Sequence, residues 1–432
     1  MRLLIRGGRV IDPASGIDDE LDVLVEDGRI RRLAAPIREG ADQVVEARGA
    51  WVIPGAIDIH VHLREPGQEH KERIETGTRA AAAGGITAVA CMPNTNPAVD
   101  TAAIVSHVQA IARARGLVRV HVIGALTKGR QGQELAEMGE MAEAGAVAFS
   151  DDGDTVMDAA LMRSALLYAA QLGRPVVVHC VDASLARGGV MREGPVATRL
   201  GLPGIPPEAE SVIVARDIAL ARAAGARLHV AHVSTAQSVR LVAEAKASGA
   251  AVTAEVTPHH LFLTDEALTG YDSSAKVNPP LGTEEDRQAL RRALAEGIVD
   301  VVASDHAPHA PEEKEAELDQ APFGAVGLET MLALVLGHLV REGVLTPMRA
   351  VATVTSGPAA VLGLPGGRLA EGAVADVTLF DPAARWEVDP ARLHSIGKNT
   401  PFAGWRLEGR PVATVVGGRV VMLEGELLDG RG

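Results

Sequence analysis

The stretch from residue 57 to residue 91, IDIHVHLREPGQEHKERIETGTRAAAAGGITAVAC, predicts a strand, then a helix, then a second strand. Its two ends are short apolar runs, and its centre is charged, rich in alanine and closed by two glycines. Short apolar runs that alternate with helical segments of this length are typical of β-α-β units around a parallel sheet. The stretch therefore predicts the first unit of an α/β fold.

The same alternation continues over residues 54–364. Eight runs are candidate strands: IDIHVH (57–62), ITAVAC (86–91), VRVHVIGA (118–125), AVAFS (146–150), PVVVHC (175–180), RLHVAH (227–232), AVTAEV (251–256) and DVVAS (300–304). Eight β-α units close into a (β/α)8 barrel of the TIM type, whose active site lies at the carboxyl ends of the strands. We therefore expect functional side chains at strand ends.

Both ends of the chain have a different pattern, made of short β-type runs punctuated by glycine and aspartate. The tetrapeptide GGRV at residues 7–10 recurs at residues 417–420. We predict that residues 1–53 and 365–432 together form one small composite β-sandwich domain beside the barrel domain of residues 54–364.

Composition narrows the class of protein. The net charge of −14 over 432 residues argues against a nucleic-acid-binding surface, which needs clustered lysine and arginine. No signal peptide and no apolar run of about 18 residues is evident, so we expect a cytoplasmic protein without a membrane span. The two cysteines, Cys91 and Cys180, do not make a disulfide framework and are expected to be reduced and buried.

Histidine and aspartate residues stand at the ends of several predicted strands. His60 and His62 lie two residues apart on the first strand, so their side chains project from one face. His179 ends the fifth strand, His232 ends the sixth, and Asp305 follows the eighth. Imidazole and carboxylate ligands without thiolate suit zinc, and manganese, cobalt and iron are chemically acceptable. The pattern therefore predicts a metal site at the rim of the barrel.

The alternation of side chains along each strand, together with position in the chain, predicts which neighbouring residues face the site. Asp151 and Asp152 both follow the fourth strand, and both are chemically eligible as ligands. If His232 points inward, His229 is expected to pack toward the helix layer, and Cys180 should face away from the site. Two histidines after the seventh strand, His259 and His260, are expected to support the site or the fold rather than contact substrate. Five further histidines are expected to be structural: His70, His107, His121, His338 and His394.

The motifs as a set resemble those of class I bacterial dihydroorotases, within the amidohydrolase superfamily. They are DIHVHLREPGQEHKERIETGTRAAAAGGITAVACMPNTNP (58–97), AFSDDG (148–153), HVST (232–235), EVTPHH (255–260), VNPPL (277–281), ASDHAPH (303–309), APFGAVGLET (321–330) and KNTPF (398–402). They occur in the family's order and span nearly the whole chain.

The resemblance implies one or two zinc ions. Its implied ligands are His60, His62, Asp152, His179, His232 and Asp305, with Asp152 rather than Asp151 bridging two ions. Related amidohydrolases use a carbamylated lysine after the fourth strand. This chain has no lysine between Lys128 and Lys246, so an aspartate must serve if two metals bind.

The resemblance also implies the substrate contacts. Arg64, Asn94 and His309 would hold a carboxylate, while Asn278 and backbone groups of residues 321–324, including Phe323 and Gly324, would contact the ring amides. A planar guanidinium pairs well with a carboxylate, although Arg64 is also compatible with a structural salt bridge and Asn94 with a simple turn role. Asp305 is the candidate general base, and then the acid that protonates the leaving ring nitrogen.

Several alternatives stay open at this point. The activity implied is the reversible cyclisation of N-carbamoyl-L-aspartate to dihydroorotate, and the rivals are an allantoinase or dihydropyrimidinase and a non-catalytic partner of aspartate carbamoyltransferase. A homodimer and a complex with aspartate carbamoyltransferase are both compatible with the family. The charged segment 310–321 is either a mobile lid over the site or a plain solvated loop.

Overall fold

A computed structural model describes residues 1–428, and the chain begins in it with five strands. They are β1 (Arg2–Asp12), β2 (Ile17–Glu26), β3 (Arg29–Ala34), β4 (Gln43–Glu46) and β5 (Trp51–Pro54). β1 pairs antiparallel with β2 and parallel with β4 and β5. The amino-terminal segment is therefore a β-sheet, as its sequence predicts.

The next strands form a parallel sheet in chain order. They are β6 (Ala56–Val61), β7 (Ile86–Cys91), β8 (Arg119–Gly124), β9 (Ala146–Phe149), β10 (Val176–Val178), β13 (Leu228–Val230), β14 (Val252–Val256) and β15 (Val301–Val302), while β11 (Met191–Arg192) and β12 (Gly204–Ile205) make a separate ribbon. Val61 bridges to His306, just after β15, and this contact brings the last strand back to the first. Each of the eight predicted runs holds one barrel strand, so the (β/α)8 prediction is confirmed.

Helices follow the barrel strands and cover their outer side. They are α1 (Ile74–Ala83), α2 (Ala102–Arg115), α3 (Met138–Glu143), α4 (Ala159–Gln171), α5 (Pro195–Leu200), α6 (Glu208–Ala224), α7 (Ala236–Ala247), α8 (Pro258–Phe262), α9 (Glu284–Glu296), α10 (Pro311–Lys314), a π-helix (Ala333–Leu339), α11 (Pro347–Val354) and α12 (Ser356–Leu362), with short 3₁₀ turns at Lys128–Arg130, Asp265–Leu268, Ser273–Ala275 and Pro390–Arg392. Within residues 1–428 no helix combines the length and the apolar character that crossing a bilayer requires.

The barrel strands carry two apolar layers, one inside the barrel and one between the strands and the helices. Strand residues such as Ala88, Val177 and Ala303 form one cluster that fills the lumen, whereas their neighbours Val89, Val178 and Val302 pack with the helices. Cys91 and Cys180 are buried in the outer layer and are not bonded to each other. Because the lumen is a packed core, chemistry is confined to the rim at the carboxyl ends of the strands.

The carboxyl-terminal part of the chain completes the first sheet. Its strands are β16 (Val377–Glu387), β17 (Arg406–Val416), β18 (Arg419–Leu423) and β19 (Glu426–Leu427). β16 pairs antiparallel with β5, so strands from both ends of the chain share one nine-stranded sheet. This sheet encloses an apolar cluster of its own, with members such as Leu3, Val52 and Val415. The prediction of a composite β domain is confirmed, while the exact domain boundaries stay predictions.

Candidate metal centre and substrate pocket

The carboxyl rim of the barrel brings together all six side chains that the family resemblance implies as ligands. They are His60, His62, Asp152, His179, His232 and Asp305, and each is at most 7% exposed. They come from the ends of β6, β9, β10, β13 and β15, as expected for a barrel site. So dense a group of buried titratable side chains needs either mutual pairing or a bound cation.

Asp152 lies at the centre of the group. Its Oδ1 is 3.4 Å from His60 Nε2, 3.5 Å from His232 Nε2 and 3.7 Å from His179 Nδ1. Its Oδ2 faces the other side, 3.7 Å from His62 Nε2. Asp305 Oδ1 completes that side, at 3.0 Å from His62 Nε2 and 3.5 Å from His60 Nε2. The two Asp152 oxygens therefore face two different sets of donors.

The donor set fits a divalent cation. Ligand atoms of His60, Asp152 and His232 lie within 4.8 Å of one another, and so do those of His60, His62 and Asp305. Donors at ~2.1 Å from a tetrahedral zinc ion would be about 3.4 Å apart, close to the separations measured here. His60 Nε2 and Asp152 Oδ1 are buried and have no hydrogen-bond partner among residues 1–428. An ion would satisfy buried acceptors of this kind.

Backbone irregularities aim these side chains. His232 and Asp305 have φ angles of 34° and 45°, in the region that residues with side chains seldom adopt. His232 follows β13 by two residues, so its direction is set by this bend rather than by the strand. Strained backbone is commonly found where a site fixes the position of functional groups.

The structure distinguishes the two adjacent aspartates. Asp151 Oδ1 accepts hydrogen bonds from the backbone N–H groups of Leu126 and Thr127 at 2.8 and 3.0 Å, and its Oδ2 accepts one from the Thr127 hydroxyl. Asp151 thus fastens the loop after β8, and only Asp152 faces the histidines. The sequence left both eligible.

Glu255 on β14 is a site residue that the sequence analysis missed. Its Oε1 lies 2.5 Å from His60 Nδ1 and its Oε2 lies 3.1 Å from His229 Nε2. Burial by itself would raise the pKa of Glu255, but the charges of His60 and His229 outweigh it and lower the pKa to about 2. A carboxylate on the far nitrogen of a ligand histidine fixes the tautomer and the ring orientation. Glu255 can therefore present His60 Nε2 to a cation.

The prediction for His229 is wrong. Instead of packing toward the helix layer, it lies inside the barrel, with Nδ1 2.8 Å from Thr253 Oγ1 and Nε2 on Glu255. The prediction assumed that side chains alternate regularly between the two faces of the strand. That assumption fails because the bend at His232 breaks the regular strand between the two histidines. The sequence AVTAEV could have indicated the inward position of Glu255. Polar and apolar residues alternate in it, which places Thr253 and Glu255 on the lumen side of β14, opposite to Val252 and Ala254.

Arg64 lies buried beside the metal centre without a carboxylate partner among residues 1–428. Its Nε donates to the Pro308 carbonyl at 3.2 Å, and its Nη2 is 3.5 Å from His309 Nε2. Burial lowers the pKa of Arg64 to about 10, so the guanidinium is charged at neutral pH. Burial of His309, together with the charges of Arg64 and Lys314, lowers the pKa of His309 to about 3 and keeps its imidazole neutral. A buried cation with spare donors can bind an anionic substrate group.

The two asparagines contact predicted ligands directly. Asn94 Oδ1 is 2.8 Å from His62 Nδ1, and Asn278 Nδ2 is 3.2 Å from His179 Nε2. Asn278 Oδ1 is buried without a partner. Behind it, His260 Nε2 donates to the Pro279 carbonyl at 3.0 Å, which is the structural role expected for this histidine. The asparagines thus border the candidate metal centre.

Phe323 and Gly324 lie against His309. The Phe323 carbonyl is 2.9 Å from His309 Nε2, and the Gly324 N–H donates to the Lys276 carbonyl at 2.8 Å. Gly324 has a φ of 139°, and a Cβ there would lie 2.8 Å from the Ala307 carbonyl oxygen, so only glycine fits. Within the charged segment 310–321, residues Pro311–Lys314 form α10.

Comparisons with known sequences agree with one another. A family model described as Dihydro-orotase-like matches residues 49–238. A protein named dihydroorotase from Pelotomaculum thermopropionicum is 58% identical over 422 residues, which cover 98% of this chain and 99% of that protein. A dihydroorotase from Anaeromyxobacter dehalogenans is 56% identical over 422 residues, covering 97% of each.

Solved structures with the same fold include proteins of a neighbouring activity. The L-hydantoinase (dihydropyrimidinase) from Arthrobacter aurescens matches with a TM-score of 0.89 and 29% identity, over 99% of this chain and 97% of that one. A dihydropyrimidinase from Brevibacillus agri matches with a TM-score of 0.86 and 25% identity, over 99% of this chain and 96% of that one. Sequence identity is thus far higher to the dihydroorotases.

Proposed function

The chain belongs to the dihydroorotase family, and from that premise we propose that it catalyses the reversible, zinc-dependent cyclisation of N-carbamoyl-L-aspartate to (S)-dihydroorotate in pyrimidine biosynthesis. The observation that carries the proposal is Arg64, a buried charged group without a carboxylate partner in residues 1–428, beside a buried His/Asp centre. Dihydroorotate carries a carboxylate on the same ring as the amide bond that opens, so it would contact both.

The reaction assigns a separate task to each group. A bound zinc ion would lower the pKa of a coordinated water from about 15.7 to about 7 and polarise the substrate carbonyl. Burial raises the pKa of Asp305, but the charges of His60 and His62 outweigh it and hold the pKa well below the ordinary value, so the carboxylate is ionised at neutral pH. In ring opening, Asp305 accepts the proton of the attacking water and passes it to the leaving ring nitrogen.

Substrate binding follows from the pocket. Arg64 donates to the substrate carboxylate, with His309 and Asn94 beside it, while Asn278 and the backbone of Phe323 and Gly324 contact the ring amides. In the biosynthetic direction the same groups hold the open chain with its ureido nitrogen close to the carboxyl group that it attacks. Orientation of this kind replaces a bimolecular encounter and lowers the barrier.

The finer assignments belong to the same proposal. The protein is a class I bacterial member of the amidohydrolase superfamily, and it acts in the cytoplasm. Asp152 would help to hold each of two zinc ions if both were present, since its two oxygens face different donors. The six ligands are those that the family resemblance implies, and a homodimer and a complex with aspartate carbamoyltransferase are both compatible with the proposal.

The rival activity is that of a hydantoinase or dihydropyrimidinase, which the fold alone would equally support. One assay separates the two: purified protein with added zinc is offered dihydroorotate, dihydrouracil, hydantoin and allantoin in turn. Ring opening of dihydroorotate alone supports the proposal. Opening of an uncharged ring instead would assign the rival activity, and no opening at all would favour a non-catalytic partner protein.

A further inference from the structure

Two buried lysines, Lys276 and Lys314, bind the segment of residues 318–324 through its backbone. Lys276 Nζ donates to the carbonyl oxygens of Leu318, Asp319 and Ala321 at 2.7, 3.3 and 2.6 Å. Lys314 Nζ donates to the carbonyl oxygens of Pro322 and Gly324 at 2.8 and 3.0 Å. We call the two lysines and these five carbonyl groups the carbonyl clamp.

The burial of the two clamp lysines is unfavourable in free energy. Lys276 is 2% exposed and Lys314 is 9% exposed, and neither forms an ion pair with a carboxylate in the described part of the chain. Burying an ammonium group costs free energy, and here the hydrogen bonds that offset that cost go to neutral carbonyl groups. A methionine or leucine at either position would fill similar space without the penalty, so packing alone does not account for two lysines.

The clamped segment contains Phe323 and Gly324, which are the predicted ring contacts. Lys276 Nζ also lies 4.6 Å from the centroid of the Phe323 ring. The Lys276 backbone carbonyl accepts the Gly324 N–H, and Asn399 Nδ2 donates to the Gly324 carbonyl at 2.9 Å. Lys276 stands two residues before Asn278, so the clamp ties one side of the pocket to the other.

We propose that Lys276 and Lys314 are positioning residues that hold Phe323 and Gly324 in the geometry needed for substrate binding, and that the charge of Lys314 keeps the segment 318–324 closed. The expected effect on substrate binding rests on the proposed function, whereas the expected effect on how residues 318–324 are held does not. Neither lysine touches the predicted metal ligands. The clamp therefore governs how tightly substrate is held rather than the chemical step.

The environment of Lys314 gives the clamp a pH dependence. Burial and the neighbouring charge of Lys276 lower the pKa of Lys314 to about 7, while Asp272 and Glu313 oppose this shift. His309 also lies within range, and its imidazole is neutral at this pH. Above pH 7 the neutral amine has one donor fewer and no charge, so its bonds to Pro322 and Gly324 weaken.

The test compares Lys314→Met and Lys276→Met with the zinc-loaded wild-type enzyme, using dihydroorotate at pH 7. We expect KM to rise about tenfold, which corresponds to ~1.4 kcal/mol, while kcat changes far less. Lys246→Met is the matched control, since it removes a lysine bound to Asp300 at the opposite end of the barrel and should leave KM unchanged. An unchanged KM in both clamp variants, or a loss confined to kcat, overturns the proposal.

A second measurement needs no activity. Limited proteolysis of the zinc-loaded protein should cut residues 312–320 faster in Lys314→Met than in wild type, and faster in wild type at pH 9 than at pH 6. Equal cutting of both proteins at both pH values rules out the clamp. If wild type fails to open dihydroorotate but shows the pH-dependent cutting, the proposed function fails and the clamp stands. If a variant does not fold, the wild-type pH comparison decides.

Discussion

Substituting Glu255 by glutamine tests how the centre controls His60. In the native chain one carboxylate serves two imidazoles, at 2.5 Å from His60 Nδ1 and 3.1 Å from His229 Nε2. A glutamine offers one acceptor oxygen and one NH₂ donor, so one imidazole must face a donor. If that imidazole is His60, its proton moves to Nε2, and the atom facing Asp152 can no longer bind a cation.

The size of the effect follows from the burial of Glu255, which is 0% exposed, so bulk water does not replace the lost contact. Loss of a carboxylate behind a ligand histidine typically weakens metal affinity or activity about 10- to 100-fold, or ~1.4–2.7 kcal/mol. We expect the zinc Kd of Glu255→Gln to rise toward the upper end of that range.

The assay is zinc competition with a chelator, followed by kcat/KM at saturating zinc. Asp217→Asn is the matched control, because Asp217 is equally buried but accepts its hydrogen bond from Arg216 on α6, outside the site. The control should bind zinc like wild type. A zinc Kd for Glu255→Gln within twofold of wild type would refute the reasoning.

The remaining predictions concern the proton carrier, the carboxylate contact and acid stability. Asp305→Asn should retain zinc by elemental analysis yet lose at least ~10²-fold in kcat, whereas near-normal turnover would remove its role as base. Arg64→Ala should raise KM for dihydroorotate about tenfold or more, since each charged hydrogen bond contributes ~1.5–3 kcal/mol; an unchanged KM would contradict the assignment. Because folding lowers the pKa of Glu255 from 4.5 to about 2, its stabilisation of the metal-free protein is complete above pH 4.5 and is lost as pH falls toward 2. The Tm difference between metal-free wild type and Glu255→Gln should therefore shrink from pH 6 to pH 3, and a constant difference would argue against this linkage.

The sequence predicted the features that depend on the spacing of apolar residues and on the order of the strands along the chain. Each apolar run became one barrel strand, and IDIHVH placed His60 and His62 at the rim because strand ends converge in a barrel. Failure came where the backbone leaves the regular path: the bend at His232 defeats parity and turns His229 inward. Local pattern holds no information about such a bend.

Other features depend on contacts between residues far apart in the chain. Asp151 and Asp152 are equivalent by type and position, and only the bonds from Leu126 and Thr127 distinguish them. Glu255 was visible in a strand of alternating pattern, but its partner His60 is nearly two hundred positions away. The carbonyl clamp joins Lys276 to backbone oxygens, which no side-chain pattern can reveal.

The pairing of β5 with β16 sets the order of events during synthesis on the ribosome. Pro54 lies opposite Val377, so the edge of β5 stays unpaired on this side until the whole barrel has been translated. At about 5–20 residues per second, that delay is on the order of tens of seconds. During this interval the nascent chain presents an open sheet edge, and a chaperone that shields exposed strands would raise the yield of native protein more than one that acts on the finished chain.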